Sequence, residues 1–213
     1  MTDIFDTIGK IGLMPVIVVE REEDAVPLAE ALIEGGLPLA EVTFRTAAAA
    51  KVIAAMAKVP GLCLGAGTVL TPAQVDQAMD LGAQFALAPS FIPRTAEHAL
   101  KKNFPFVPGI LSPSEISAAL EAGFSVQKFF PAEPAGGAAF VKAVSAPLKG
   151  VRFIPTGSID LARLPSYLEI PSVLAVGGSW MVAPKLIHEK KWAEITRLAR
   201  EAVEVVKRAR PQP

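Results

Sequence analysis

Three residues of this 213-residue chain are of types that together rearrange carbonyl compounds: Lys128, Glu41 and Arg45. A lysine amine attacks a ketone and makes it an electron sink, a carboxylate moves the protons, and a guanidinium grips a planar carboxylate through two parallel N–H groups. Their spacing makes a shared chamber plausible in physical terms. In Leu39-Ala-Glu-Val-Thr-Phe-Arg45, an extended backbone puts Leu39, Glu41, Thr43 and Arg45 on one face and Ala40, Val42 and Phe44 on the other. The same parity in Ser125-Val-Gln-Lys-Phe-Phe130 groups Val126, Lys128 and Phe130, with Gln127 and Phe129 opposite. If Ala40, Val42 and Phe129 pack on helices, Lys128 and Glu41 face each other inside. Loss of hydration there favours the neutral amine, the form that attacks carbonyls. An isolated Lys and Glu on two strands also fits an ordinary ion pair, so the loops around them decide.

Gly65-Ala-Gly-Thr68 ends one apolar run and offers close backbone approach beside the Thr68 hydroxyl. Pro155-Thr-Gly-Ser158 and Gly177-Gly-Ser-Trp180 follow two later runs. Loops of this kind hold phosphate with backbone N–H groups and hydroxyls, which nominates Thr156, Gly157, Ser158, Gly178 and Ser179. The only histidines, His98 and His188, fall on helical segments away from acid-rich strand ends, so no metal site and no cofactor are expected.

Elements that could position these groups alternate along the chain. Apolar β-like runs near residues 15–19, 39–44, 62–66, 84–88, 106–107, 125–129, 152–154 and 173–176 are each followed by a helical segment or turn. Helices end at glycines suited to a left-handed residue in Glu34-Gly-Gly36, Leu81-Gly82 and Ala122-Gly123. Others start with capping boxes at Thr71-Pro-Ala-Gln74 and Ser112-Pro-Ser-Glu115. Eight such units predict an α/β chain folded as a single (β/α)8 barrel domain over residues 1–213, with chemistry at the C-terminal strand ends. An open doubly wound sheet is the alternative, but Glu20-Arg-Glu-Glu-Asp24 after the first run has no glycine fingerprint. An amphipathic N-terminal segment (Ile4, Phe5, Ile8, Ile11) and a C-terminal helix (Trp192, Ile195, Leu198, Ala202, Val205) read as covers, and residues 208–213 as a frayed tail.

Composition narrows the partners. Lys plus Arg and Asp plus Glu number 21 each, so no overall field favours nucleic acid or an anionic membrane surface. Cys63 is the only cysteine, the N-terminus lacks a basic leader, and no apolar run reaches membrane-spanning length, so a cytoplasmic location is expected. Hydrophobic residues make up 51% of the chain, enough for a large core with room for an apolar subunit interface.

The segments Glu34-Gly-Gly-Leu-Pro-Leu-Ala-Glu-Val-Thr-Phe-Arg-Thr46, Gly65-Ala-Gly-Thr-Val-Leu70, Gln127-Lys-Phe-Phe-Pro131, Pro155-Thr-Gly-Ser158 and Val176-Gly-Gly-Ser-Trp180 resemble the 2-keto-3-deoxy-6-phosphogluconate and 4-hydroxy-2-oxoglutarate aldolases. The likeness runs in order from about Pro15 to Trp180. It implies a metal-independent class I lyase of the Entner–Doudoroff pathway, a homotrimer of barrels acting on a small phosphorylated keto-acid. It further implies Lys128 as Schiff-base lysine, Glu41 as acid and base, Arg45 and Thr68 as holders of the pyruvyl carboxylate, and Pro89 and Phe130 as apolar contacts. Gly157, Ser158, Gly178 and Ser179 match the family's phosphate end. Without the resemblance, a phosphosugar isomerase or a non-catalytic phosphosugar-binding barrel would account for the same residue types.

Overall fold

A computed structural model describes residues 3–210. Parallel strands form its centre: β1 (Leu13–Ile17), β2 (Leu39–Thr43), β3 (Cys63–Gly67), β4 (Phe85–Leu87), β5 (Phe106–Val107), β6 (Gly109–Ile110), β7 (Val126–Phe129), β8 (Arg152–Pro155) and β9 (Val176–Gly178). They pair in the orders β5-β4-β3-β2-β1-β9 and β6-β7-β8. Pro108 separates β5 from β6 because it has no N–H for a ladder, yet its carbonyl accepts from the Lys128 N–H at 2.8 Å. The two pieces are therefore halves of one stave. Bridges Phe153↔Val173 and Thr156↔Gly177 join β8 to β9 and close the ring, so the expected eight-unit barrel is what the chain forms.

Strand parity separates two apolar layers. Met14, Leu39, Cys63, Phe85, Val107, Val126 and Ile154 fill the inside of the ring, whereas Leu13, Ile17, Ala40, Val42, Phe129 and Phe153 pack outward against the helices. In β2 and β7 the inner apolar residues come first along the strand and the polar ones later. The interior is thus greasy at the N-terminal end and polar towards the C-terminal mouth. Helix α1 (Ile4–Ile11) plugs the greasy end, with Ile8 fully buried and Ile4, Phe5 and Ile11 against the same cluster.

Joints follow the sequence closely. Gly36, Gly82 and Gly123 adopt left-handed φ values of 77°, 87° and 97°, and Asn103 does the same at 53° where no glycine signals it. Ser112 and Glu115 form a complete capping box on α6 (Pro113–Glu121). On α4 (Pro72–Asp80), Thr71 caps the Gln74 N–H, but the Gln74 side chain accepts from Leu70 rather than from Thr71. The last stave departs from expectation: it starts at Val176 instead of Val173 and takes in Gly177 and Gly178. Gly177 is needed there because a Cβ would lie 2.2 Å from Thr156 Oγ1. The long C-terminal helix, Trp192–Ala209, buries Ile195, Ala199, Ala202 and Val206, a stripe centred slightly away from the one expected. Its end is not frayed as far as Arg210, whose guanidinium donates to the carbonyls of Leu168, Val173 and Leu174. The rest of the expected frayed tail, residues 211–213, lies outside the described residues.

Candidate active site

Lys128 and Glu41 meet inside the barrel, as parity requires. Lys128 Nζ donates to Glu41 Oε1 at 2.7 Å. Glu41 is 0% exposed and Lys128 5%. Every other lysine of the chain is exposed. The second carboxylate oxygen, Glu41 Oε2, is buried with no hydrogen-bond partner. A buried lone-pair site with no donor is costly unless something else uses it.

Neighbouring strands make room for this pair. Gly67, directly across from Thr43 in the β2–β3 register, has the Glu41 carboxylate lying over it: a Cβ there would be 2.2 Å from Oε1. The next residue, Thr68, is held at φ 59°. A non-glycine residue costs about 1 kcal/mol or more in that region, a strain that clusters at functional sites. Thr43, on the same inner face as Glu41, is 3% exposed and donates to the Ile17 carbonyl at 3.0 Å.

A cavity of about 310 Å³ opens above β7, β8 and β9. Arg45, Phe130, Thr156, Gly157, Ser158, Gly178 and Ser179 line it, which brings together the expected phosphate end with one carboxylate holder and one apolar contact. Phe130 sits two residues above Lys128, whose Nζ lies 5.8 Å from its ring centroid. Gly178 is the buried last residue of β9, not a loop residue as expected, while Ser179 begins the loop. Thr68 and Pro89 do not line this cavity. They stand at the ends of β3 and β4, and Pro89 packs so tightly on β6 that a Cβ on Gly109 would lie 2.2 Å from its carbonyl carbon.

The loop after β8, where a phosphate end is expected, turns through the left-handed region. Gly157 and Ser158 have φ of 117° and 59°; the Gly157 N–H is turned to β9 by the Thr156↔Gly177 bridge, whereas the N–H groups of Ser158 and Ser179 donate to no backbone carbonyl among the described residues. Free amides in and beside a left-handed turn can hold an anion without any cationic side chain.

Sequence reasoning missed the apolar wall of the cavity: Val16, Val18, Ile159, Val182 and Pro184. Strand parity from Met14 could have given Val16 and Val18, whereas nothing around Val182 signals its place. The two histidines are elsewhere. His98 Nε2 lies 2.9 Å from Asp76 Oδ1 on the helical layer, holding that carboxyl below its usual range, and His188 ends a short helix, Pro184–His188. Cys63 lies inside the ring, and burial pushes its thiol up to about 11.

This arrangement can be set beside known proteins. The family model for KDPG and KHG aldolase matches residues 4–198. The 2-dehydro-3-deoxy-phosphogluconate aldolase of Treponema pallidum (strain Nichols) is 48% identical over 207 residues, covering 97% of this chain and 99% of its own. The KHG/KDPG aldolase of Escherichia coli (strain K12) is 44% identical over 196 residues, 92% of each chain. Among solved structures, the KDPG aldolase from Legionella pneumophila with pyruvate captured at low pH as a covalent carbinolamine intermediate aligns with a TM-score of 0.91. It is 39% identical and the alignment covers 94% of this chain and 98% of that one. Likeness of this extent in both sequence and barrel places the chain: it belongs to the KDPG and KHG aldolase family.

Proposed function

We propose that the chain is a class I aldolase that cleaves 2-dehydro-3-deoxy-6-phosphogluconate to pyruvate and glyceraldehyde 3-phosphate through a Schiff base on Lys128. By the same route it cleaves 4-hydroxy-2-oxoglutarate to pyruvate and glyoxylate. The observation that carries this reading is the Lys128–Glu41 contact: one lysine alone is withdrawn from solvent, and its partner is a carboxylate with a free oxygen. An amine so placed attacks the C2 carbonyl of the keto-acid, and Glu41 relays protons while the carbinolamine loses water. Glu41, directly or through a water, then takes the proton of the C4 hydroxyl. The C3–C4 bond breaks, its electron pair moves into the iminium, and the aldehyde departs from a lysine-bound enamine. Protonation at C3 and hydrolysis of the imine return the amine and release pyruvate.

In this reading Arg45 and Thr68 hold the pyruvyl carboxylate, Pro89 and Phe130 flank the pyruvyl carbons, and the amides and hydroxyls around Thr156–Ser158 and Gly178–Ser179 take the phosphate. No metal, cofactor or nucleic acid enters the reaction. The unit at work is one barrel domain of residues 1–213, assembled as a homotrimer in the cytoplasm. Two observations support the assembly: Leu70 and Leu111 are 40% and 43% exposed on the mouth rim, and Phe91 and Ile92 lie half-buried beside them. None of the described helices is long and apolar enough to cross a membrane.

Borohydride reduction in the presence of pyruvate, followed by peptide mass spectrometry, tests the mechanism. A covalent adduct on Lys128 is expected, and its absence under turnover conditions would sink the proposal in favour of an isomerase or a binding barrel. Lys128→Ala should form no adduct and show no turnover. It leaves the Glu41 carboxylate buried alone, at a cost of about 3–5 kcal/mol, so its folding is to be checked by circular dichroism.

A further inference from the structure

Five residues beyond Lys128, outside the cavity lining, the Glu133 carboxylate has both oxygens engaged. Tyr167 donates its hydroxyl to Oε1 at 2.5 Å, and Arg163 Nε lies 3.0 Å from Oε2. Tyr167 is 0% exposed, and burial together with the adjacent carboxylate pushes its phenol above the usual tyrosine range, so it stays a donor. Arg163 also pairs with Asp160, whose side chain accepts from the Arg163 N–H. Gly137 leaves space for the contact: a Cβ there would lie 3.2 Å from Glu133 Oε1 and 3.4 Å from the Tyr167 hydroxyl. Tyr167 stands on the short helix Leu164–Leu168, which follows the phosphate loop in the chain, whereas Glu133 belongs to the loop after β7.

Two main-chain bonds run beside this clasp. The Ala132 N–H donates to the Thr156 carbonyl at 2.8 Å and the Glu133 N–H to the Gly157 carbonyl at 3.2 Å. In a trans peptide the C=O and the following N–H point in opposite directions. Turning the carbonyls of Thr156 and Gly157 towards residues 132–133 therefore turns the N–H groups of Gly157 and Ser158 away from them. Both of those residues line the cavity.

We propose that Glu133, Tyr167 and Arg163 are positioning residues for phosphate recognition, clasping the loop after β7 to the loop after β8 so that the Ser158 amide faces the substrate's phosphate. The proposal rests on the aldolase reading above and adds to it a group of residues that touch neither the substrate nor Lys128. It follows that loosening the clasp affects only substrates that carry a phosphate. A role confined to stability would lower activity on every substrate alike.

The test is to assay Tyr167→Phe, Glu133→Gln and Arg163→Ala in parallel on 2-dehydro-3-deoxy-6-phosphogluconate and on unphosphorylated 4-hydroxy-2-oxoglutarate. For Tyr167→Phe, KM for the phosphorylated substrate is expected to rise roughly ten-fold with kcat within about two-fold, since a misplaced binding loop weakens ground-state and transition-state contacts together. On 4-hydroxy-2-oxoglutarate, kcat/KM should stay within about two-fold of the parent. Arg163→Ala, which alters a largely exposed side chain, keeps the question answerable if Tyr167→Phe fails to fold. It should shift KM in the same direction by a smaller factor. Equal losses on both substrates, or an unchanged KM for the phosphorylated one, would overturn the clasp. Borohydride trapping with pyruvate separates the two levels: an adduct on Lys128 accompanied by equal losses overturns the clasp alone, whereas no adduct in the parent overturns the aldolase reading and the clasp with it.

Discussion

Arg45 is exposed at the rim and lines the same cavity as Thr156, Gly157, Ser158 and Ser179. A long guanidinium there could reach either anionic end of a substrate, so its role is settled by which substrates need it. If it grips the pyruvyl carboxylate bidentately, Arg45→Lys replaces a planar fork with a point charge. KM should then rise by roughly ten-fold for phosphorylated and unphosphorylated substrates alike, because both present that carboxylate. Steady-state assays on the two substrates check this, and a loss restricted to the phosphorylated one would move Arg45 to the phosphate end. Individual residues were legible in the sequence where strand parity speaks. Lys128, Glu41 and Thr43 fall on the inner face because side chains alternate, and no helical or loop residue had so strict a rule. Glu133 and Tyr167 were illegible for that reason: their contact depends on how a loop and a short helix meet, which no local periodicity encodes.

The Lys128–Glu41 pair depends on what an adjacent strand lacks. β3 lies beside β2 in register, and at Gly67 it has no side chain where the Glu41 carboxylate crosses it. Gly67→Ala would force Cβ to within 2.2 Å of Oε1, so the carboxylate must swing away from Lys128 while the strand itself remains. A displacement of about 1 Å at a reacting group is enough to lower kcat by roughly a hundred-fold. Turnover assays beside circular dichroism should therefore show an inactive, folded protein, and a fully active variant would refute the packing argument. Glycines were read from the sequence as loop and joint markers, which is right for Gly36, Gly82 and Gly123 but incomplete for Gly67, Gly177 and Gly178. Those three lie inside strands, where the reason for glycine is the nearness of another side chain. A missing Cβ needed for space looks the same in sequence as one needed for a turn, and this is why the last stave was placed three residues early.

At the level of the whole molecule, the barrel was visible because apolar runs and helical segments alternate eight times, whereas the proposed trimer has no such periodic trace. Leu70, Phe91, Ile92 and Leu111 follow neighbouring staves at the mouth end, Leu70 and Leu111 exposed and Phe91 and Ile92 half-buried. Light scattering should give the parent protein three times the mass of the chain. Leu70→Glu with Leu111→Glu should give a monomer that still traps pyruvate, whereas a monomeric parent would rule the trimer out. The α1 plug has a further consequence, because it leaves the ring blind-ended. Lys128 lies below the mouth cavity, so in the proposed reaction the aldehyde half of the substrate would fill the space between it and solvent. The two products therefore share one exit and must leave in sequence, the phosphorylated aldehyde first and pyruvate, still tethered to the enzyme, last. In the cleavage direction, pyruvate should accordingly inhibit competitively against the keto-acid substrate, and glyceraldehyde 3-phosphate non-competitively.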